Sequence, residues 1–430
     1  MSTMISRRTF VQWMGAAGAL GLAGCAMGGR SQSPGRVVVI GGGFGGATCA
    51  RYLKRFSPKL AVTLVEPARQ YVTCPFSNAV IAGLRDMDSI TVGYEGLQRL
   101  GIEIVHDHAQ VIDAHRREVR LAGGARLAYD RLVVAPGIDF RVDAIEGYGL
   151  DVAQTMPHAW KAGEQTMLLR RQLQAMRNGG VVVISVPGNP YRCPPGPYER
   201  ASLIADYLSR EKPRSKVVIL DAKDSFPKQA LFEEGWQELY PGKVEWLGGE
   251  GGRVTALDRK AGVLHNVFGA VSRKGDVVNL IPPQQAGALA AAADLTDASG
   301  WCPVDPSTFE STRHAGIHVI GDAAIAAPLP KSGYAANSEA KVCAAAIVTA
   351  LEGGRMPAPT FINTCYSLLA EDYAVSVAGV YRVAEGKLVS VPGAGGVSPL
   401  GRPRQFRADE AGFARAWYRS IINDSFAFRA

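Results

Sequence analysis

Arg36-Val37-Val38-Val39-Ile40-Gly41-Gly42-Gly43-Phe44-Gly45-Gly46 decides how this chain begins to fold. After Arg36, Val37 to Ile40 are a run of β-branched side chains, which predicts a buried parallel strand. The glycines follow as G-x-G-x-x-G at Gly41, Gly43 and Gly46. Ala47 to Phe56 reads as a helix, and Leu60 to Val65 as a second strand that ends at Glu66. Each part has a physical task. Gly41 makes a tight turn, Gly43 lets a pyrophosphate approach the backbone, and Gly46 lets helix and strand pack closely. The helix N-terminus faces the phosphates, and Glu66 can accept hydrogen bonds from a ribose diol. Glycines alone are a weak signal; strand, glycines, helix, strand and acid in register are a strong one.

Composition fits this reading. The 430 residues predict two or three domains, with 47% apolar and 20% charged side chains. Forty-nine glycines and 25 prolines without a repeat call for many tight turns, not for collagen. Disorder, coiled coil, a polytopic membrane protein and a small disulfide scaffold are disfavoured. Seven cysteines are too few for a disulfide framework and too scattered for a zinc ribbon, so no metal is expected.

The first 33 residues read as an address. Ser6-Arg7-Arg8-Thr9-Phe10 is a twin-arginine pattern, and Trp13 to Met27 is an uncharged run too short to span a membrane. The expectation is a signal peptide over 1–33 and export to the periplasm in folded form, with cofactor loaded beforehand. Leu22-Ala23-Gly24-Cys25 also has the form of a lipoprotein cleavage box, which would leave Cys25 as a lipidated N-terminus; small residues there equally suit ordinary cleavage. The net charge of +8 includes Arg7, Arg8 and Arg30 of this leader. The mildly basic remainder has no Lys/Arg stripe with interleaved aromatics, so nucleic acid is not an expected partner.

Two later segments extend the nucleotide fold. Tyr129 to Gly137 is a strand ending in Pro136-Gly137, and His318 to Ala323 is another ending at Gly321-Asp322. Flavoproteins with two dinucleotide folds place a Gly-Asp there, its acid bonding the flavin ribityl chain. The FAD domain is therefore expected to be split. Within the insertion, Pro157 to Met176 reads as a helix, and Gly180 to Val186 as the opening strand of a second nucleotide-type fold. That strand runs into Pro187-Gly188-Asn189-Pro190 and Cys193-Pro194-Pro195 instead of a glycine loop. Proline removes N–H groups and fixes φ, so no phosphate nest forms and NAD(P)H is not expected. Val217 to Leu220 and Val244 to Leu247 fit further strands.

Longer stretches carry a family resemblance. YVTCPFSNAVI (71–81), MPHAWKAGEQT (156–166), RCPPGPYERAS (192–202), VNLIPPQQAG (278–287), PKSGYAANS (330–338) and NTCYSLL (363–369) make the chain resemble the flavoprotein subunits of flavocytochrome c sulfide dehydrogenases, within the sulfide:quinone oxidoreductase group. The resemblance runs from Gly35 to Phe426. It implies an α/β, glutathione reductase-like flavoprotein with two dinucleotide-binding domains and a C-terminal interface domain. The expected organisation is a split FAD domain at 34–146 and 285–356, an NAD(P)-type domain without its nucleotide motif at 147–284, and the interface domain at 357–430.

The resemblance also assigns roles. Cys74 matches the cysteine that holds FAD covalently. Cys193 and Cys365 match a redox-active disulfide beside the flavin, where hydrosulfide is oxidised. For each, a buried inert cysteine is the alternative; Cys49, Cys302 and Cys343 read as core or structural. Lys331, just before a helix, is a candidate to offset charge on a reduced flavin, with an exposed loop lysine as the alternative. Glu199, six residues after Cys193, could exchange protons with sulfide, or simply be a helix-start acid. Trp417 is set between flavin and partner haem, or packs in the core. The chain has no Cys-x-x-Cys-His for a haem of its own. The implied acceptor is a c-type cytochrome subunit; a membrane quinone, or a non-catalytic accessory role in a thiosulfate-oxidising system, stands as the alternative. Phe413, Trp417, Tyr418, Phe426 and Phe428, interrupted by arginines, read as a surface facing a protein.

Overall fold

The computed structural model describes residues 33–270 and 275–427. The twin-arginine segment, Cys25 and Phe428 lie outside the described residues. Strands β1 (Arg36–Ile40), β2 (Ala61–Val65), β3 (Glu103–Val105), β4 (Arg131–Val134) and the distant β9 (Ile317–Val319) form one sheet. Its order is β9-β4-β1-β2-β3, all parallel. β1 is buried from Val37 onward, as a strand covered on both faces must be. Helix α1 (Phe44–Phe56) starts on the glycine loop itself, and α3 (Gly333–Glu352) packs beside it with Ser332 as a true N-cap, its Oγ accepting from the Ala335 N–H at 3.0 Å. Cys49 and Cys343, one on each helix, are fully buried.

Between β4 and β9 lies a second parallel sheet of β5 (Val181–Val186), β6 (Lys216–Asp221), β7 (Val244–Leu247) and β8 (Val277–Leu280), ordered β7-β6-β5-β8. Helix α2 (Gly196–Glu211) follows β5 only after the proline-rich loop. The antiparallel strands β10 (Thr360–Ala370), β11 (Tyr373–Ala384) and β12 (Lys387–Ser390) form a third sheet, on which α4 (Arg404–Phe426) lies. All of this belongs to one compact unit beginning at Gly35.

Two expectations need correction. The helix read over Pro157 to Met176 begins only at Glu164. Ala159 and Gly163 have left-handed φ of 46° and 124°, and the carbonyls of His158 and Ala159 accept from the buried Arg200 guanidinium at 3.0 and 2.6 Å. Those oxygens are then not free to start a helical ladder. The C-terminal aromatics are also not one surface. Phe413 is exposed, but Tyr418 and Phe426 are core; Phe426 packs its ring 5.8 Å from Phe44 and 5.7 Å from Tyr71. Arg407, one of the interrupting arginines, is fully buried between Glu234 and Glu410. Among the described residues no helix is long and apolar enough to cross a membrane, and no group of His, Cys, Asp and Glu could hold a metal ion.

Candidate active site

A cleft of about 670 Å³ runs along the carboxyl end of the first sheet, where open α/β sheets bind their ligands. At its base the glycines do steric work. A Cβ on Gly41 would stand 2.2 Å from the Ala135 carbonyl oxygen, and one on Gly46 would stand 1.8 Å from that of Gly41. Neither contact is possible, so helix, turn and strand close up only with glycine there. Gly43 faces the cleft, and a Cβ placed on it would meet nothing closer than the Tyr71 hydroxyl at 3.6 Å. Glu66 closes the loop from the end of β2: its two oxygens accept from the Gly42 N–H at 2.7 Å and the Ala68 N–H at 2.9 Å. Pro136 and Gly137 line the opposite wall.

The far end of the cleft is polar. Asp322, on the turn after β9, lines it together with Arg192 and Cys74. Burial holds the Asp322 carboxyl above its ordinary range, partly offset by Arg192 and Lys331. One carboxylate oxygen stands 3.9 Å from the Arg192 guanidinium; the other, Oδ1, is buried with no hydrogen-bond partner. An unsatisfied acceptor of that kind costs about 1–3 kcal/mol and calls for a donor in the cleft. A hydroxyl-bearing chain would supply it. The glycine cradle, the acid at the end of β2 and this orphaned acceptor together fit FAD: Gly41, Gly43 and Gly46 at the pyrophosphate, Glu66 at the adenosine ribose, Asp322 at the ribityl chain. Cys74 Sγ lies in the same wall, 3.7 Å from the Trp160 carbonyl.

Cys193, Cys365 and Glu199 lie close enough for their charges to act on one another, and Cys193 also feels Cys74 and Arg192 of the cleft wall. Cys193 sits in the proline-rich loop with a left-handed φ of 56°, a conformation costly for a residue with a Cβ. It is pinned there by its own N–H, which donates to the Lys331 carbonyl at 2.8 Å, and by its carbonyl, which accepts from Gly196 at 2.9 Å. Burial pushes its thiol well up, and charge on Cys365, Glu199 and Cys74 adds to the effect. Cys365 comes from β10, paired with Val377 of β11. Burial raises its thiol too, against a lowering by Lys228. Both are thiols in this structure. Burial pushes the Glu199 carboxyl up to about 7, despite Lys228 and Arg200 nearby. It is therefore protonated below neutrality and ionised above it, and can take up or return a proton close to physiological pH.

Two expected residues lie elsewhere. The Lys331 ammonium does not line the cleft. It donates to the carbonyls of Asp322 and Ala324, at 2.8 Å each, and sits 3.9 Å over the Trp301 ring; the cations in the cleft wall are Arg192, beside Asp322, and Lys161. Trp417 is half-buried on α4, stacked on Tyr334 at 6.0 Å, and is not part of the cleft wall. Sequence reasoning missed Arg192, although it stands next to Cys193 in a matched stretch. It also missed the buried Arg200 and Lys228. For Lys228 no local signal exists, because only β10 and β11, far along the chain, give it surroundings.

The second nucleotide-type fold is closed by its own side chains. Asp221 ends β6 as Glu66 ends β2, but it is fully buried. Its oxygens accept from the Tyr198 hydroxyl at 2.5 Å, Lys223 at 2.5 Å and the Trp246 indole at 3.1 Å. The acid that would meet a ribose is thus tied down internally.

Comparison with known proteins agrees with this anatomy. Residues 166–282 match the model of the central region of the sulfide dehydrogenase [flavocytochrome c] flavoprotein chain. Residues 357–426 match that of its flavin-binding region, and 35–184 match the pyridine nucleotide-disulphide oxidoreductase model. The sulfide dehydrogenase [flavocytochrome c] flavoprotein chain of Chlorobaculum thiosulfatiphilum is 67% identical over 45 residues, which are 10% of this chain and 94% of that sequence. The mitochondrial sulfide:quinone oxidoreductase of Dictyostelium discoideum is 23% identical over 324 residues, 71% of this chain and 69% of that one. The crystal structure of the Aquifex aeolicus sulfide:quinone oxidoreductase superposes with a TM-score of 0.71 at 19% identity, over 91% of this chain and 92% of that one, and shows the shared fold. The chain accordingly belongs to the flavocytochrome c sulfide dehydrogenase flavoprotein family, FAD-binding oxidoreductases of sulfide.

Proposed function

We propose that the chain is the flavoprotein subunit of a periplasmic, twin-arginine-exported sulfide dehydrogenase, with FAD attached through Cys74 and a c-type cytochrome as electron acceptor. The observation that carries the reading is the electrostatic proximity of Cys193, Cys365 and Glu199 to one another, and of Cys193 to Cys74 and Arg192 of the cleft wall. Oxidised, the two cysteines form a disulfide. Hydrosulfide attacks one sulfur, the S–S bond breaks, a persulfide forms on that cysteine, and the other leaves as thiolate. Glu199 takes the proton of the persulfide. The outer sulfur of the persulfide leaves at the zero-valent level, as sulfur or polysulfide, when the Cys193–Cys365 bond re-forms, and FAD held in the cleft would take up the electron pair released. The positive charges of Arg192, Arg200 and Lys228 draw an anionic substrate inward. No nicotinamide step is needed: the prolines after β5 and the buried Asp221 both speak against NAD(P)H.

The acceptor is tested by anaerobic sulfide oxidation with purified protein, comparing a c-type cytochrome with a soluble quinone. The proposal expects cytochrome reduction and little quinone reduction. The reverse would favour a sulfide:quinone oxidoreductase, a reading supported by the Dictyostelium relative. No turnover with either would favour an accessory role. Attachment is tested separately. After acid precipitation the flavin should remain with the polypeptide, and in Cys74→Ser it should be released to the supernatant. Release from the unmodified protein would exclude the Cys74 link.

A further inference from the structure

Lys228 is a buried ammonium, 9% exposed, held at a left-handed φ of 62° immediately before the helix Gln229–Leu239. Nζ donates to Ser367 Oγ at 2.8 Å and reaches the Val375 carbonyl at 3.4 Å. It has no carboxylate within ion-pair distance among the described residues. A buried lysine held by neutral acceptors alone is costly, so an anion is missing from this geometry. Ser367 identifies where that anion sits. Residues two apart on a strand share a face, so Cys365 presents its sulfur on the face of β10 where Lys228 binds Ser367, about 7 Å along the strand.

We propose that Lys228 is the counter-charge for the sulfur on Cys365, holding it as thiolate or persulfide while the Cys193 sulfur faces the flavin end of the cleft. This deepens the disulfide reading above and rests on it for its place in turnover. Lys228 acts through Cys365 and is a positioning residue. The charged and titratable groups around it come from separate elements: Cys365 on β10, Cys193 and Glu199 from the loop and start of α2, and Glu410 on α4. Glu410 is already engaged by Arg407 at 3.1 Å and by the hydroxyls of Ser376 and Ser398 at 2.8 and 2.5 Å. Glu199 carries a proton for part of the neutral range. Of the two sulfurs, Cys365 is the one on the strand face that carries Ser367, to which Lys228 is bonded. Burial drives the ammonium toward its neutral form, and negative charge on Cys365 opposes this more than any other neighbour.

The test does not require sulfide turnover. In the reduced holoprotein, the rate of Cys365 alkylation by iodoacetamide is followed against pH, with the Cys365 peptide quantified by mass spectrometry. Lys228→Met should shift the alkylation profile upward by at least one pH unit and slow it about tenfold at pH 8. Lys228→Arg, which restores the charge, should recover most of that loss. Unchanged profiles in folded Lys228→Met protein would overturn the proposal, as would equal slowing in both variants. If sulfide chemistry does not use the disulfide at all, the alkylation shift still appears while sulfide-dependent bleaching is unaffected by either variant.

Discussion

Cys193→Ser protein, loaded with FAD and mixed anaerobically with sulfide, should bleach its flavin at least a thousandfold more slowly than the unmodified protein. Serine is close to cysteine in shape, so the left-handed turn at 193 and its bonds to Lys331 and Gly196 survive. What is lost is the S–S bond that hydrosulfide attacks, since an alkoxide is neither formed nor displaced under these conditions. Cys365→Ser should behave alike, because either half of the pair is useless alone. Stopped-flow absorbance of the oxidised flavin checks both. Bleaching within a few-fold of normal in Cys193→Ser would mean that sulfide reaches the ring directly.

The largest loss of stability should come from Arg200→Met. Arg200 is 2% exposed and has no carboxylate within 4 Å among the described residues. Its charge is instead solvated by Asn78 Oδ1 at 2.9 Å, Asn279 Oδ1 at 2.8 Å and the carbonyls of His158 and Ala159, with the Trp160 ring 4.9 Å away. Burial pulls its pKa down to about 10, which leaves it charged at neutral pH. Methionine fills similar volume but orphans three acceptors in the interior, while the His158 carbonyl keeps the Asn279 amide at 2.9 Å. The expected cost is about 3–5 kcal/mol, read as a shift in the urea midpoint with unchanged slope. A shift below about 1 kcal/mol would show that these acceptors find other donors, contrary to this view of the loop.

The first sheet was legible because its signal is local. The run at 36–40, the glycines and Glu66 each do their work within a few residues, and α1 and β2 appear within three residues of their predicted starts. The Gly321-Asp322 turn was legible for the same reason. What was not legible depended on distant partners. The carbonyls of 158 and 159 look helical until Arg200 arrives from α2. Tyr418 and Phe426 look like surface aromatics until α1 and the Tyr71 segment cover them. Lys331 looks free until its ammonium is seen to bridge the carbonyls of Asp322 and Ala324. Lys228 has no motif of its own, because its meaning comes from Ser367 and Val375.

Peptide mapping of the oxidised protein without reduction tests the pairing most directly. A cross-linked species joining the Cys193 and Cys365 peptides, replaced by two free thiols after one equivalent of a reductant, is the predicted result. Separate, alkylatable Cys193 and Cys365 peptides from protein whose flavin is still oxidised and still bleached by sulfide would contradict it.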